Sequence, residues 1–278
     1  VLKPGTPPPR PLQVEASLEV EGMPLMNGIA SSVVLSRDGS LLAYVTGVGT
    51  NPSGKIRVRD THRFDARYLA GTERGYNVFF SPDTRWLGFV TPTEMKKVAI
   101  SGGAPLTLCE VNRSRGAHWG DDGTIVFTPD PGAGLSRVSA AGGEPEPLTE
   151  LDENEVSHRW PQFLPGGTHA LYTAYTSNDR DEGLIKVVDL SSGQSEVVHR
   201  GATYARYVAS GHLLYWREAT VFAVPFDLSE MRMTDTPVPV LQGVAGNPAG
   251  GAHFSVADDG TLVYVPGLAT QTVEVERT

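Results

Sequence analysis

A turn followed by an apolar strand recurs six times along this chain, and no other feature restricts its fold so strongly. The copies are "LSRDGSLLAYV" (35 to 45), "FSPDTRWLGFV" (80 to 90), "WGDDGTIVFT" (119 to 128), "FLPGGTHALYT" (163 to 173), "YVASGHLLYWR" (207 to 217) and "VADDGTLVYV" (256 to 265). With Asp38, Asp83, Asp122, Gly166, Ser210 and Asp259 as the turn position, successive copies lie 45, 39, 44, 44 and 49 residues apart. A period of that size holds about four short strands. Further strand and hairpin signals fall between the markers: "KIRVRD" and "ARYLAGT" in the first repeat, and "LIKVVDLSSGQSEVVHRG" in the fourth, where Ser-Ser-Gly turns the chain. Four antiparallel strands per repeat, arranged radially, bury each sheet against its neighbours and leave only short edges. The expected fold is therefore all-β, a six-bladed β-propeller of four-stranded antiparallel blades. The 31 Gly and 21 Pro, spread along the chain, agree by cutting it into short segments.

The ends of the chain suggest how the ring closes. In "LQVEASLEV" (12 to 20), Leu12, Val14, Ala16, Leu18 and Val20 alternate with polar residues, the period of a strand with one buried face. After the sixth marker come "TLVYVPG" and "TVEVE", which leave room for one missing strand. The N-terminal strand is expected to complete the last blade, so that residues 12–278 form one propeller domain. Residues 1–11, "VLKPGTPPPRP", read as a Pro-rich linker from a longer protein.

Charge narrows the partners. With 23 basic against 32 acidic residues, a net charge of −9 and no basic run, a nucleic-acid backbone or an anionic membrane is disfavoured. No stretch approaches 18 consecutive apolar residues, and no signal-peptide pattern opens the chain, so membrane insertion by this fragment is not expected. Cys109 is the single cysteine; in "PLTLCEV" it reads as a buried strand thiol.

At these repeats the chain resembles the WD40-like, TolB-type six-bladed propellers, whose signature is a Ser-Pro-Asp-Gly turn entering a strand. "FSPDTRWLGFV" keeps Ser81, Pro82 and Asp83, with Thr84 where glycine is usual. "KKVAISGGAPLTLCE", "RGAHWGDDGTIVF", "AAGGEPEPLTE", "VSHRWPQFLPGG", "YARYVASGHLLY" and "AVPFDL" together resemble the propeller region attached to many bacterial serine/threonine protein kinases. That resemblance implies a sensor or interaction module, extracytoplasmic (periplasmic or at the cell surface), within a longer membrane-anchored protein. The kinase signatures His-Arg-Asp, Asp-Phe-Gly and Val-Ala-x-Lys are absent, so phosphoryl transfer is not expected of this fragment.

Several short motifs lose their first appeal on inspection. "GTNPSGKI" (49 to 56) has phosphate-loop spacing, but Ile56 stands where the magnesium-binding hydroxyl belongs and a strand follows, so a hairpin loop is expected. "NDRDEG" (178 to 183) puts Arg180 at a would-be calcium ligand and reads as a solvated turn. Glu150, Asp152, Glu153 and Glu155 read as a hydrated acidic loop. No Gly-x-Ser-x-Gly, His-Glu-x-x-His or Cys-x-x-Cys occurs.

Aligning the six markers singles out candidate site residues, because the strand before each marker lines a propeller's channel. Four positions ahead stand Val34, Phe79, His118, Gln162, Arg206 and Ser255; six ahead stand Ser32, Asn77, Gly116, Trp160, Tyr204 and His253. Residues two apart on a strand share a face, so both rings should point to the axis. His158, two before Trp160, should lie on the same side nearer the entrance, and Arg159 should reach a neighbouring blade. The candidate ligand-binding set is Asn77, His118, His158, Trp160, Gln162, Tyr204, Arg206 and His253. Arg206 and His253 would hold an anion, Trp160 and Tyr204 would stack over it, and Gln162 would orient it. The ligand class is a small anionic or sugar-like molecule or a peptide end; packing within the channel is the competing account. No cofactor is assigned, but His118, His158 and His253 raise a divalent metal as an alternative. The function expected is a ligand- or protein-binding sensory module. The alternative is a hydrolase or lyase acting on an ester, lactone or phosphotriester, with His118 or His158 as general base and Arg206 as oxyanion partner.

Overall fold

Five repeats fold as the pattern requires, each as a meander of antiparallel strands. The computed structural model describes residues 31–46, 55–63, 65–176 and 183–267. The first blade comprises β1 (Val33–Leu35), β2 (Leu41–Thr46), β3 (Lys55–Asp60) and β4 (Arg67–Tyr68); the second β5 (Tyr76–Phe80), β6 (Trp86–Val90), β7 (Glu94–Ala99) and β8 (Leu106–Glu110). The third contains β9 (Ala117–Trp119), β10 (Thr124–Phe127), β11 (Ser136–Ser139) and β12 (Glu146–Pro147); the fourth β13 (Ser157–Phe163), β14 (His169–Tyr175), β15 (Leu184–Asp189) and β16 (Ser195–Arg200). The fifth runs β17 (Thr203–Val208), β18 (His212–Arg217), β19 (Thr220–Asp227) and β20 (Arg232–Met233), and β21 (Val238–Gln242) also pairs with β19.

The expected count of six four-stranded blades is corrected: among the described residues five are present. The last marker, Asp259, opens a sheet of two strands among the described residues, β22 (Phe254–Val256) and β23 (Leu262–Tyr264). The segments assigned to complete it, 12–20 and "TVEVE", lie outside the described residues, as does the 1–11 linker. β22 nevertheless joins the first blade: Leu35 N–H donates to Ser255 Oγ (3.0 Å), Ser32 N–H to His253 Nδ1 (3.0 Å), and Asp258 N–H to the Arg37 carbonyl (2.9 Å).

The markers earn their repetition through turn chemistry. Asp38 Oδ1 accepts from Ser36 Oγ (2.6 Å) and the Ser40 amide (3.1 Å), while Ser36 Oγ accepts the Leu41 amide (2.9 Å). Ser81, Asp83, Arg85 and Trp86 repeat this set at 2.6, 3.1 and 2.9 Å. Each Asp replaces a backbone acceptor where the chain reverses, the Asx-turn device. Between blades the core is apolar. Val45, Ile56 and Val58 pack on Leu87, Phe89 and Val98, and Leu171, Ile185 and Val187 pack on Leu213, Tyr215 and Val224. Full burial of each such side chain stabilises by roughly 1.5–3 kcal/mol. Cys109 is buried on β8, and burial pushes its thiol up to about 11, the inert strand thiol expected. "KIRVRD" is strand β3, so Lys55 and Ile56 open a strand and no helix N-terminus follows "NPSGK".

Candidate functional site

The inner strands β1, β5, β9, β13, β17 and β22 end at a cavity of about 710 Å³ on the face carrying the marker turns. All six residues four positions ahead of the markers line it: Val34, Phe79, His118, Gln162, Arg206 and Ser255. Of the ring six ahead, Asn77, Gly116, Trp160 and Tyr204 line it, whereas Ser32 and His253 do not.

Three of the inner strands carry bulges at the second ring. Pairing with the next strand shifts between Tyr76 and Phe79, between Arg159 and Gln162, and between Thr203 and Arg206, inserting one extra residue each time. Asn77, Trp160 and Tyr204 take left-handed φ values of 53°, 59° and 53° there, and Gly116 in the third blade has φ 120°. A Cβ at Gly116 would fall 2.8 Å from Trp160 Cα, so only glycine admits the neighbouring bulge. An extra residue reverses the parity of everything before it.

This displaces His158. It is not at the entrance beside Trp160 but buried between the third and fourth blades. Thr149 Oγ1 accepts the Leu135 amide (2.8 Å), so its hydroxyl hydrogen goes to His158 Nδ1 (2.7 Å); His158 Nε2–H then donates to Glu155 (2.8 Å). Lys186 Nζ donates to Glu155 and to Asp152, each at 2.8 Å. Burial lowers the His158 pKa, outweighing the opposing Glu155 carboxylate, so the imidazole is neutral. Burial alone would raise Glu155, but Lys186, the Asp152 amide and His158 hold it below the usual range. The loop expected to be merely hydrated therefore sends Asp152 and Glu155 into a clasp between blades.

His253 is also corrected. It is fully buried, with Nδ1 accepting from the Ser32 amide and facing Ser32 Oγ at 2.8 Å; its Nε2 has no partner. Burial lowers its pKa to about 4, so it is neutral and cannot hold an anion by charge. Gln162, expected to orient ligand, has its amide engaged: Nε2 donates to the Tyr207 carbonyl (3.0 Å) and Oε1 accepts the Tyr207 amide (2.8 Å), tying blade four to blade five. Arg159 crosses between blades as expected, donating to the Ala249 carbonyl at 2.8 Å.

His118 and Arg206 do meet at the cavity. The Phe163 amide donates to His118 Nδ1 (3.4 Å), which puts the imidazole proton on Nε2. Protein crowds this ring although an edge stays open, and desolvation with the nearby Arg206 and Arg37 lowers its pKa to about 3. Arg206 lies over the Tyr204 ring, 4.0 Å from its centroid, and donates to the Trp160 carbonyl at 3.0 Å. Trp160 and Tyr204 meet edge to face at 5.7 Å, as do Tyr204 and Phe254 at 5.3 Å. At 2% and 5% exposure the first two form a floor that is largely core. Two buried donors beside the cavity have no partner, Asn77 Nδ2 and Trp160 Nε1.

The metal alternative on His118, His158 and His253 does not hold: among the described residues no three His, Cys, Asp or Glu side chains converge as a metal site. The bulge in β13 sends His158 between blades, and His253, just ahead of β22, turns onto Ser32 of the first blade, away from His118.

The same alignment holds one further ring, which carries no sequence signal beyond its spacing. The residues one ahead of each marker, Arg37, Pro82, Asp121, Pro165, Ala209 and Asp258, all line the cavity and form its rim. Arg37 bonds Asp121 at 2.6 Å and Asp258 at 3.3 Å, joining blade one to blade three across the mouth. The rim thus holds Arg37 between two acids, leaving one negative charge in excess there, while Arg206 lies at the floor.

Fold and site together define an all-β propeller with a polar cavity at one end of its channel. Solved structures agree on the fold. A protein assigned as TolB from Agrobacterium tumefaciens matches with TM-score 0.64 at 13% identity, covering 85% of this chain and 90% of that one. Oligogalacturonate lyase in complex with manganese matches with TM-score 0.55 at 14% identity, covering 84% and 76%, and a chain of the nidogen/laminin complex with 0.57 at 12%, covering 75% and 78%. No family model and no curated protein sequence matches the chain.

Proposed function

We propose that this propeller is a binding module whose ligand seats in the cavity at the channel mouth. The observation that carries the reading is the cavity itself, about 710 Å³, with one guanidinium, Arg206, fixed at its floor beside His118. A ligand with a carboxylate or similar group would meet Arg206 and the His118 Nε2–H, while hydroxyl or ammonium donors would meet Asp121 and Asp258 at the rim. That polarity suits an acidic sugar or a peptide end better than a simple anion. Asn77 Nδ2 and Trp160 Nε1 add donors that a bound acceptor would satisfy.

The hydrolase or lyase alternative is weaker on this geometry. With a pKa near 3 and Nδ1 taken by Phe163, His118 is a poor general base at neutral pH, and His158 does not reach the cavity. The similarity of the repeats to kinase-attached propellers supports the further proposal that the chain is the non-catalytic, extracytoplasmic part of a receptor kinase-like protein.

A thermal-shift screen of uronic-acid sugars and short peptides tests the binding reading. At least one class should raise the melting temperature of the native protein, and Arg206→Gln should weaken that ligand about 10- to 100-fold, the loss of a charge-assisted hydrogen bond, while leaving the unliganded melting temperature nearly unchanged. A response retained in Arg206→Gln, or none from any member, removes the cavity as the site.

A further inference from the structure

The cavity is closed at its inner end. Below Arg206 the axis of the ring is filled: Trp160, Tyr204 and Phe254, only 2%, 5% and 0% exposed, belong to one apolar cluster with Ala249 and Ala252. Side chains lining an open tunnel would keep contact with water, so packing this complete stops the channel. The loop after β21 backs the floor. Asn247 folds it, with Oδ1 accepting the Ala249 and Gly251 amides at 2.9 and 3.1 Å. Arg159 donates to the Ala249 carbonyl (2.8 Å) and Thr203 Oγ1 to the Gly250 carbonyl (2.7 Å), which ties the loop to blades four and five. A Cβ at Gly251 would stand 3.0 Å from the Trp160 ring, so the indole rests directly on this stopper.

At the outer end, Arg37 reaches from blade one to Asp121 of blade three and narrows the mouth. An internal stretch of a polymer would have to enter and leave there as a hairpin, whereas a chain end enters once. The rim lies three strand positions beyond the ring of Arg206, roughly 10 Å at the usual rise, which is the reach of three extended residues. Between floor and rim, neutral polar side chains are already bonded to protein. Ser31 donates to the Val33 carbonyl, Ser81 to Asp83 and Gln162 to the Tyr207 carbonyl, while Ser255 accepts the Leu35 amide. Val34, Phe79, Trp119, Phe163 and Val208 line the cavity with them. A sugar ring would leave several hydroxyls unpaired against such a wall, each at a cost. An extended peptide carries one donor and one acceptor per residue, which face the inner strands, each the edge strand of its sheet. It also brings side chains that pack on aromatic rings.

We propose that the cavity takes the free C-terminus of a peptide end-on, with its α-carboxylate on Arg206 and the His118 Nε2–H and a large apolar side chain as its last residue. The inference rests on the cavity being the binding site, and it narrows the ligand to one kind of chain end. A closed floor with a single fixed guanidinium, Arg206, selects the acidic terminus, and the narrowed mouth rejects the same sequence inside a longer chain.

The probes are N-acetylated tripeptides ending in Leu, Phe or Trp, prepared as free acids, as C-terminal amides, and embedded in the middle of longer peptide amides. Calorimetric titration of the whole chain at neutral pH and fixed ionic strength follows their binding. At least one free acid should bind saturably. Its amide and its embedded form should bind at least ~10-fold more weakly, because the charge-assisted bonds to Arg206 are lost. Arg206→Gln should cost the free acid about as much as amidation does and leave the amide's affinity nearly unchanged, a coupling that general destabilisation would not produce. The acid and amide comparison uses the native protein alone, so it decides the matter even if Arg206→Gln does not fold. Equal affinity for acid and amide, or for the embedded sequence, overturns the proposal. So does a uronic-acid sugar that binds through Arg206 while no tripeptide acid binds, in which case the cavity remains the site and only its ligand changes. If neither class binds, this proposal and the cavity reading fall together.

Discussion

Thr84 shows how a single position reports on a repeated turn. It sits at φ 60°, where the equivalent turns of the first and third blades place Gly39 (φ 71°) and Gly123 (φ 83°). A β-branched side chain in the left-handed region crowds its own backbone, and the Asx turn at Asp83 holds it there regardless. Thr84→Gly should therefore stabilise the protein by about 1 kcal/mol, seen as a melting temperature raised by ~2 °C; a decrease would mean that the threonine side chain makes compensating contacts. His253 is the second residue with a sharp expectation. Its pKa falls from 6.5 unfolded to about 4 folded, so below pH 6.5 the unfolded chain binds a proton that the folded one refuses. Stability is thus lost as pH drops from 6.5 toward 4, by roughly 3 kcal/mol from this group. His253→Asn keeps an acceptor for the Ser32 amide but does not titrate. Urea unfolding of this variant should show a flatter decline between pH 6.5 and 4, and an unchanged slope would refute the assignment.

Elements show where the pattern could be followed and where it failed. The turns, the strands after them and the ring four ahead of the markers were legible because Asx turns and period-two strands leave local signatures: Asp38, Asp83, Asp122 and Asp259 each mark a hairpin. The bulges were not, since Asn77, Trp160 and Tyr204 share no residue type that favours left-handed backbone. Their consequence falls on His158, whose parity was reversed and whose partners, Thr149, Glu155 and Lys186, come from segments with no marker of their own. That clasp joins β13 to β15 and the loop after β12, with Lys186 and Glu155 buried together and Asp152 pairing Lys186 from the exposed side. Lys186→Met leaves Glu155 buried without its cation and should cost about 3–5 kcal/mol, whereas Glu155→Leu leaves Lys186 paired with Asp152 and should cost less. The double change should cost far less than their sum, because it removes both charges from the interior. Equal and additive penalties in a double-mutant cycle by denaturant unfolding would show that the contact is not coupled.

For the molecule as a whole, the decisive contact is the one that turns a row of blades into a ring. The first blade meets β22 through Leu35 N–H to Ser255 Oγ and through Ser32 to His253, while Ala257 packs on Val33, Leu35 and Leu42. Each blade elsewhere is held on both sides; without this seam the first blade and β22–β23 would be held on one side only. A radial array joined by nearest-neighbour contacts loses cooperativity at its weakest interface. Ser255→Ala orphans the buried-side Leu35 amide, at a cost of about 1–3 kcal/mol concentrated at the seam. Amide exchange should then accelerate together in β1, β2, β22 and β23, while β13, β14 and β15, half a ring away, keep their native protection until global unfolding. Uniform acceleration in all blades would mean that the ring opens only as one unit, with strain at the seam spread through every interface. Because Arg37 and Asp258, which flank the same seam, also form the cavity rim, the variant should loosen the mouth without moving Arg206, whose anchors are the Trp160 and Ala205 carbonyls of blades four and five.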